Sequence, residues 1–375
     1  MLNAGDKVFA REKMLARPLR IHIEVNDLCN LKCPHCPREN PNIPKNTGHL
    51  PLEAFQRLEP YFRSASYVGL TGNGEPFLHP HIMDILRLVV NAGATPSVIS
   101  NATLWKKLGI VDEIAGLGPM LLNISVDGGT RETFEKWRLR ANYDEVRANL
   151  LELHEAKKAK GSPFPVMTFN VCLMKDNIDE VEEIVEWAAE CGAVVVNFQN
   201  MYPYVDGLDD QRVTDMDYCR RAIAKAGKRA RELGVRIDWL PMSVDIDERD
   251  DTEGGSYGDL TAAEIERRLA DEKREKHDRN GSKVSYHCDN VWNQVHITVA
   301  GDVKYCCFWQ EGSVGKVMQD DLADLWNGPE WRQLRRDLAA GKKPMSCNNC
   351  HNLVRRDSGR MLRASKRELK DLLKR

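Results

Sequence analysis

Three closely spaced cysteines follow the first extended apolar segment of the chain. Cys29, Cys33 and Cys36 lie in the string C-N-L-K-C-P-H-C, directly after the apolar run of residues 19–25. Such thiols can hold a tetrahedral zinc ion with a fourth ligand from elsewhere, or three corners of a [4Fe–4S] cluster whose fourth iron stays open. Zinc sites more often pair C-x-x-C segments, but the spacing alone leaves both metals open.

Length and composition favour an intracellular protein of two unequal parts. A chain of 375 residues suits one large α/β domain and a smaller one. There is no charged-then-apolar leader and no apolar run that could span a bilayer, so we expect a soluble, cytoplasmic protein without a membrane partner. The eleven cysteines then indicate metal ligands rather than disulfides. With a net charge of -2 and dispersed Lys and Arg, no nucleic-acid partner is expected.

Extended segments alternate with amphipathic segments over the first half of the chain. The predicted strands cover residues 19–25, 66–71, 96–100, 120–126, 166–173 and 193–198, and clear helices cover 82–92, 143–160 and 178–191. Parallel strands joined by helical crossovers form a partial barrel that binds ligands at the carboxyl ends of its strands. Polar residues follow the last two predicted strands: Asn177 after the fifth, and Gln199 and Asn200 after the sixth. They could contact the adenosine or the substrate, or they could simply form turns.

The string after the second predicted strand adds a second constraint. Residues 70–80 read L-T-G-N-G-E-P-F-L-H-P, in which glycines let backbone approach a ligand and a carboxylate can bind an ammonium group. Together with the three cysteines, this string resembles the radical S-adenosylmethionine (SAM) superfamily, whose C-x-x-x-C-x-x-C loop follows the first strand of a partial barrel. The resemblance implies a [4Fe–4S] cluster and SAM, with Gly74 and Glu75 in the G-G-E-P segment and Glu75 on the methionyl amino group.

Two further strings are similar to motifs of this family, in the same order. Asn101 lies in P-S-V-I-S-N-A-T, residues 96–103, which is similar to a strand ending in T-N-G, with Ser and Ala in place of Thr and Gly. Ser125 and Asp127 lie in L-N-I-S-V-D-G, which is similar to the S-x-D-G strand that reaches the ribose or carboxylate of SAM. Arg138 lies where many members keep an Arg that pairs with the SAM carboxylate, and a bidentate guanidinium suits that role.

A second group of cysteines lies near the C-terminus. Cys288 and Cys306 flank two alternating runs joined by Gly-Asp at 301–302, a predicted hairpin that brings the two thiols together, and Cys347 and Cys350 follow in C-N-N-C. The pattern resembles the SPASM and twitch domains of radical SAM enzymes. A full SPASM domain has further cysteines and this chain has none after Cys350, so the resemblance implies a twitch domain with one auxiliary [4Fe–4S] cluster on these four thiolates.

Two choices stay open in this group. Four cysteines also make a structural zinc site. Cys307 could replace Cys306 as a ligand, although the family spacing G-x-x-x-x-C favours Cys306. The remaining cysteines, Cys172, Cys191 and Cys219, lie in predicted strands or helices and are most simply buried small apolar residues.

The fold class predicted is α/β, a partial (β/α)6 TIM-like barrel with a small C-terminal twitch domain made of a β-hairpin plus a helix. The predicted regions are an N-terminal extension, the barrel, a charged linker with a helix, the auxiliary cluster domain and a C-terminal helix, at residues 1–18, 19–240, 241–285, 286–351 and 352–375. Within the linker, residues 245–255 are acidic and aperiodic, and residues 262–280 read as a highly charged helix.

The resemblance implies hydrogen abstraction by a 5′-deoxyadenosyl radical, with the auxiliary cluster accepting an electron. Such two-electron oxidation is similar to that of an aminocyclitol dehydrogenase and of the sulfatase-maturating enzymes, whose substrates are a small molecule and a peptide. The short segment before the first strand favours a small hydroxylated substrate, with a peptide as the alternative and flavodoxin or ferredoxin as the reductant. Two other hypotheses are an epimerase with Cys307 as hydrogen donor and a non-catalytic iron–sulfur or zinc scaffold.

Overall fold

Where the structure describes the chain, the strands form one large sheet and one two-stranded sheet. The computed structural model describes residues 6, 10–43, 48–240, 284–347, 350 and 353–357. In chain order, the strands are β1 (Arg20–Glu24), β2 (Tyr67–Thr71), β3 (Thr95–Ser100), β4 (Leu121–Ser125), β5 (Val166–Leu173), β6 (Val195–Asn200), β7 (Arg236–Leu240), β8 (Val284–His287), β9 (Gln294–Ile297), β10 (Asp302–Lys304), β11 (Gly315–Lys316) and β12 (Val354–Asp357).

Seven parallel strands, β1 to β7, lie side by side in sequence order and form the partial barrel. The six predicted strands are all present, with ends that differ from the prediction by at most two residues. The seventh strand, β7, was not predicted. It follows the helix Met216–Leu233, which ends at Gly234 with φ +72°, a left-handed conformation that glycine adopts without strain.

Helices cover the outer face of the barrel. In the described part of the chain, the helices of four residues or more are Leu52–Phe62, Ile82–Asn91, Trp105–Leu108, Val111–Gly116, Arg131–Trp137, Tyr143–Ala159, Val181–Glu190 and Met216–Leu233 and, in the auxiliary region, Asp289–Asn293, Leu322–Trp326 and Pro329–Ala339. Alternate strand residues pack against these helices in one core, for example Leu122 and Ile124 of β4. The intervening strand residues therefore face the inside of the barrel.

The auxiliary region extends the barrel sheet instead of forming a separate sheet. The predicted hairpin is present as β9 and β10, and its turn contains Gly301 at φ +79°. β9 pairs in parallel with β1, with His22 opposite His296. The complete order is β11-β10-β9-β1-β2-β3-β4-β5-β6-β7, so the second cysteine group is attached to the same sheet as the first.

Side-chain contacts fix this attachment from the helical side. Tyr61 Oη donates to Asp321 Oδ1 at 2.6 Å, and Arg57 Nε donates to the carbonyl of Val317 at 3.0 Å. Arg335 is fully buried, stacks on the Trp326 ring and donates to backbone carbonyls. The auxiliary region is thus packed on the helix Leu52–Phe62, which leads into β2.

The prediction of a C-terminal helix over residues 352–375 is wrong for residues 354–357. Val354–Asp357 form β12, which pairs antiparallel with β8, because an extended partner satisfies the backbone groups of both segments. The predicted linker (245–255), the predicted charged helix (262–280) and residues 358–375 lie outside the described residues. Among the helices that the structure describes, none combines the length and apolar composition needed to cross a membrane.

Candidate functional site

The loop that starts at Asn26 is clamped against the segment after β2. Asn26 Nδ2 donates to the carbonyl of Glu75 at 2.9 Å, and the Glu75 N–H donates to the carbonyl of Leu28 at 2.7 Å. Gly74 allows this approach, because a Cβ at position 74 would overlap Asn26 Oδ1 and lie 2.6 Å from the Leu28 carbonyl oxygen. The predicted glycine therefore admits protein backbone, where we expected it to admit a ligand.

Three thiols lie together in this loop. Cys33 is buried, Cys29 and Cys36 are half-buried, and burial is the main cause that raises the pKa of each thiol, to about 11 for Cys33. Asn101 Nδ2 lies 4.0 Å from Cys29 Sγ, and an Arg138 guanidinium nitrogen lies 3.8 Å from Cys33 Sγ. The structure thus brings two predicted SAM contacts onto two of the predicted cluster ligands.

The Glu75 carboxylate is buried beneath this loop and bonded mainly to the end of β3. Ser100 Oγ donates to Glu75 Oε1 at 2.8 Å, the Asn101 N–H donates to Oε2 at 2.8 Å, and the Phe77 N–H donates to Oε1 at 3.2 Å. Burial outweighs these bonds and raises the pKa of Glu75 to about 7. A carboxylate accepts about four hydrogen bonds, so about one acceptor position is left for an ammonium group.

Asn101 belongs to a closed amide and hydroxyl network beside Cys29. Its Nδ2 donates to Asn30 Oδ1 at 3.0 Å, Asn30 Nδ2 donates to Thr103 Oγ1 at 2.8 Å, and that hydroxyl donates to Asn101 Oδ1 at 2.7 Å. Ala102 has φ +59°, a left-handed conformation that costs a residue with a Cβ. It occupies the position where the similar T-N-G motif has glycine.

Asp127, which is fully buried, forms an ion pair with the mostly buried Arg138. Arg138 Nε lies 2.6 Å from Asp127 Oδ2, and His35 Nε2 lies 3.1 Å from the same oxygen. The other oxygen accepts the Cys172 N–H at 2.8 Å. Burial alone would raise the pKa of Asp127, but the Arg138 and His35 contacts lower it to about 2. Both carboxylate oxygens therefore have protein partners, while we expected Asp127 and Arg138 to bind SAM directly.

The other polar residues at the strand ends differ in how much hydrogen-bonding capacity they keep for a ligand. Ser125 is half-buried on the inner face, and the described residues give its hydroxyl no hydrogen bond. Asn177 spends its amide on the carbonyls of Asp127 and Cys172 and on the Met174 N–H, which is the turn-forming role. Asn200 binds the Trp239 indole N–H at 2.8 Å, and Gln199 is exposed. Ser125 thus keeps a free group for a ligand, while Asn177 does not.

The second cysteine group assembles at the start of the helix Asp289–Asn293 and after β10. The pKa of Cys288 is raised to about 11 and those of Cys306 and Cys347 to about 12, chiefly by burial and also by the charge of Cys350. In the described part of the chain, no three His, Cys, Asp or Glu side chains are placed to hold a single metal ion. A four-iron cluster binds each thiolate through a different iron.

Cys307 differs from its neighbour Cys306. The Cys307 residue is exposed as a whole, yet burial of its thiol is the main cause of its raised pKa. The charges of Cys350 and Glu24 also contribute to raising the pKa of this thiol. The position is consistent with either role predicted for it.

Sequence reasoning missed three residues that build the site. Asn26 clamps the cysteine loop, Asn30 completes the network around Asn101, and His35 binds Asp127. His35 stands inside C-P-H-C, Asn30 directly follows Cys29, and Asn26 precedes Cys29 by three residues, so their position in the loop was the available signal. Their partners are 49 to 92 residues away, which no spacing rule indicates.

The barrel and the auxiliary region each match a known protein family. Residues 23–188 match the family model of the radical SAM superfamily, and residues 288–351 match SPASM, an iron–sulfur cluster-binding domain. The chain is 27% identical over 210 residues to the AdoMet-dependent heme synthase of Methanosarcina barkeri, covering 55% of this chain and 57% of the relative. It is also 27% identical to the PqqA peptide cyclase of Methylobacterium nodulans, covering 90% of this chain and 79% of the relative.

A solved structure shows the same fold. Streptococcus suis SuiB bound to S-adenosylmethionine aligns with a TM-score of 0.63 and 17% identity, over 88% of this chain and 70% of that chain. The chain spans a little more than half the length of the heme synthase.

The residues present fit the groups that these families bind. All eleven cysteines are free thiols. Because burial raises the pKa of Cys33 to about 11 and of Cys306 to about 12, these thiols need a bound cation to ionise, and iron supplies that charge. The three thiols of the first loop suit a [4Fe–4S] cluster with an open iron for SAM, and the four thiols of the second cysteine group suit a fully ligated cluster. The chain therefore belongs to the radical SAM superfamily and carries a C-terminal iron–sulfur cluster-binding domain of the SPASM type.

Proposed function

We propose that this enzyme removes two electrons from a polar, hydroxyl-bearing substrate held inside the barrel. The observation that carries the proposal is the polar inner face of the parallel strands. Asn123, Asn170 and Asn197 stand on three adjacent strands, with Asn197 Nδ2 donating to Asn170 Oδ1 at 3.0 Å. Asn123 donates to Ser97 Oγ at 3.1 Å. Each asparagine keeps part of its hydrogen-bonding capacity, which suits hydroxyl groups.

The first cysteine loop is the site for the reactive group. We assign Cys29, Cys33 and Cys36 as ligands of the [4Fe–4S] cluster and Glu75 as the acceptor for the ammonium group of SAM. When bound, the cluster and SAM supply the 5′-deoxyadenosyl radical that takes a hydrogen atom from substrate. The network around Asn101 and the buried pair of Asp127 and Arg138 holds the loop that presents them.

The auxiliary region supplies the electron acceptor. We assign Cys288, Cys306, Cys347 and Cys350 as ligands of one further [4Fe–4S] cluster. Four thiolates leave no iron open for substrate, so electron transfer is the natural role of that cluster. A one-electron donor such as flavodoxin or ferredoxin would supply the electron that starts the reaction.

A peptide substrate is the second candidate. The similarity to the PqqA peptide cyclase extends over 90% of this chain. Tyr202 and Tyr204 follow β6 with exposed rings 4.8 Å apart, and Phe308 beside Cys307 is also exposed. Exposed aromatic side chains at the carboxyl ends of the strands could bind peptide side chains, and they equally suit a sugar ring.

The test is an anaerobic incubation of the reconstituted enzyme with SAM, dithionite and a panel of hexoses, cyclitols and aminocyclitols. We expect 5′-deoxyadenosine and a product two mass units lighter, with no solvent deuterium in it. A matched panel of peptides tests the second candidate. An isomer of unchanged mass that carries solvent deuterium, lost in Cys307→Ala, would instead identify an epimerase.

A further inference from the structure

A carboxylate and an imidazole meet on the inner face of the sheet, where β1 and β9 run side by side. His296 Nε2 lies 3.2 Å from Glu24 Oε1, and the Val299 N–H donates to Glu24 Oε2 at 3.1 Å. Their neighbours Ile23 and Ile297 pack in the core on the opposite face. Glu24 and His296 therefore join the barrel to the auxiliary region from the inside.

Glu24 and His296 keep hydrogen-bonding groups that the contact between β1 and β9 does not use. His296 is 7% exposed, and its Nδ1 is buried without a hydrogen-bond partner in the ranges that the structure describes. The Glu24 side chain is 23% exposed, and the two bonds above leave about half of its acceptor positions free. A buried nitrogen without a partner costs free energy. Such a group in a folded protein calls for a functional explanation.

Glu24 is also connected to both groups of cysteines, along the chain to the first and across the sheet to the second. It is the last residue of β1, the strand that leads into Cys29. Its partner His296 lies opposite Lys304 of β10, and Cys306 follows Lys304 by two residues. A substrate that gives a hydrogen atom on the barrel side and an electron on the auxiliary side would lie beside this carboxylate.

We propose that Glu24 accepts the proton of the substrate hydroxyl during oxidation and that His296 is the positioning residue that orients Glu24. The proposal rests on the oxidation proposed above. Conversion of H–C–O–H to C=O releases a hydrogen atom, a proton and an electron. The hydrogen atom ends on the 5′-deoxyadenosyl group derived from SAM, the proton on an open acceptor position of the Glu24 carboxylate, and the electron on the auxiliary iron–sulfur cluster.

The surroundings of Glu24 keep it ready for this step. Burial alone would raise the pKa of Glu24, but the His296 contact, the Val299 N–H and the charge of Lys304 lower it, so that the carboxylate is ionised at neutral pH. The hydroxyl becomes strongly acidic as the electron leaves, so a carboxylate is a sufficient base. His22, the nearest other imidazole on β1, has a pKa lowered to about 4, chiefly by burial, and is neutral.

The decisive variant is Glu24→Gln, which keeps an oxygen acceptor for His296 and loses the ability to take a proton. With the hexose or cyclitol that the wild type oxidises, we expect the amount of product per 5′-deoxyadenosine to fall roughly 100-fold. Iron content and the unfolding midpoint should stay as in the wild type. The matched control is His22→Gln on the same face of β1, which should leave the product ratio unchanged.

The role of His296 has a spectroscopic readout in the full chain without metal. Nitrogen NMR of histidine-labelled protein should show His296 with its proton on Nε2 and a bare Nδ1, and Glu24→Gln should weaken that preference. The His296→Gln side chain can still donate a hydrogen bond to Glu24. We therefore expect His296→Gln to form more product per 5′-deoxyadenosine than His296→Ala. A wild-type His296 protonated on Nδ1 would overturn the positioning role.

The two proposals fail in different ways. If the wild type makes the lighter product and Glu24→Gln makes it with the wild-type ratio, the proton-acceptor role is wrong and the oxidation stands. If the wild type makes only an isomer of equal mass, or oxidises no member of the panel, the oxidation of a hydroxylated substrate is wrong, and the role of Glu24 falls with it.

Discussion

The cysteine loop of the barrel and the second cysteine group in the auxiliary region lie in different chemical surroundings. In the barrel loop, side chains reach the thiols, with Asn101 beside Cys29 and Arg138 beside Cys33. In the auxiliary region, the described residues offer the thiols backbone N–H groups, such as those that stabilise Cys288, and no side-chain hydrogen bond. A cluster that must bind and orient a ligand needs directed polar partners, whereas a cluster that only stores an electron needs burial and four thiolates.

The largest expected effect comes from removing the barrel thiols. Cys29→Ala with Cys33→Ala and Cys36→Ala should lower the iron content from about eight to about four per chain and abolish SAM cleavage, because only the auxiliary cluster remains. Iron analysis and 5′-deoxyadenosine formation measure this. The control, Cys191→Ala with Cys219→Ala, should keep about eight irons. Zinc in place of the last four irons would assign the auxiliary region a structural role.

The charges behind the barrel loop should dominate its stability. Asp127→Asn leaves the buried Arg138 without its counter-charge, and we expect a loss of about 3–5 kcal/mol in the free energy of unfolding of the metal-free chain. Denaturant titration measures it. Asp144→Asn breaks the exposed ion pair with Arg131 and should cost far less, because water screens both groups. Equal losses in the two variants would contradict the special role of the pair of Asp127 and Arg138.

SAM affinity should depend on the barrel segment that contains Glu75 and not on the auxiliary region. Glu75→Gln removes the negative partner of the SAM ammonium group, which should cost on the order of 2 kcal/mol, or roughly tenfold or more in Kd, with both clusters intact. Equilibrium binding of SAM measures the change. Glu311→Gln, an exposed carboxylate that accepts the Ser346 N–H in the auxiliary region, is the control and should leave Kd unaltered. A Kd unaffected by Glu75→Gln means that the SAM-binding segment is misplaced.

The smallest effect concerns backbone strain beside the barrel loop. Ala102→Gly relieves a left-handed conformation worth about 1–2 kcal/mol and loses a buried methyl worth about 0.8 kcal/mol, so stability should stay level or rise by up to about 1 kcal/mol. The same change in a helix, Ala188→Gly, should cost about 1–2 kcal/mol. Thermal unfolding compares the two. A loss at Ala102 as large as that at Ala188 would show that the strain is absent.

Local patterns allowed the barrel to be predicted. Alternation and helical periodicity located six strands, and Val166–Leu173 has the predicted ends. β7 was missed because its five residues follow a long charged helix in a region of changed composition, although Gly234 marks the end of that helix. The pairing of β9 with β1 could not be predicted, because it joins segments more than 270 residues apart that share no pattern.

The site was predictable as a set of residues but not as a set of contacts. Asp127 and Arg138 were each assigned to SAM because each matched a motif by itself. The structure pairs them with each other, and their energies depend on a burial that appears only when β4, its following helix and the cysteine loop meet. Motifs thus indicate which residues matter, while tertiary contacts decide what each one touches.

The pairing of β1 with β9 also has a consequence for how the chain reaches its fold in a cell. The partner strand β9 is made some 270 residues after β1. At about 5–20 residues per second, one edge of β1 stays unpaired for roughly 15–50 seconds of synthesis. An unpaired apolar edge is a template for aggregation. Nascent chains that stop before Gln294 should therefore depend on chaperones more strongly than the finished protein does.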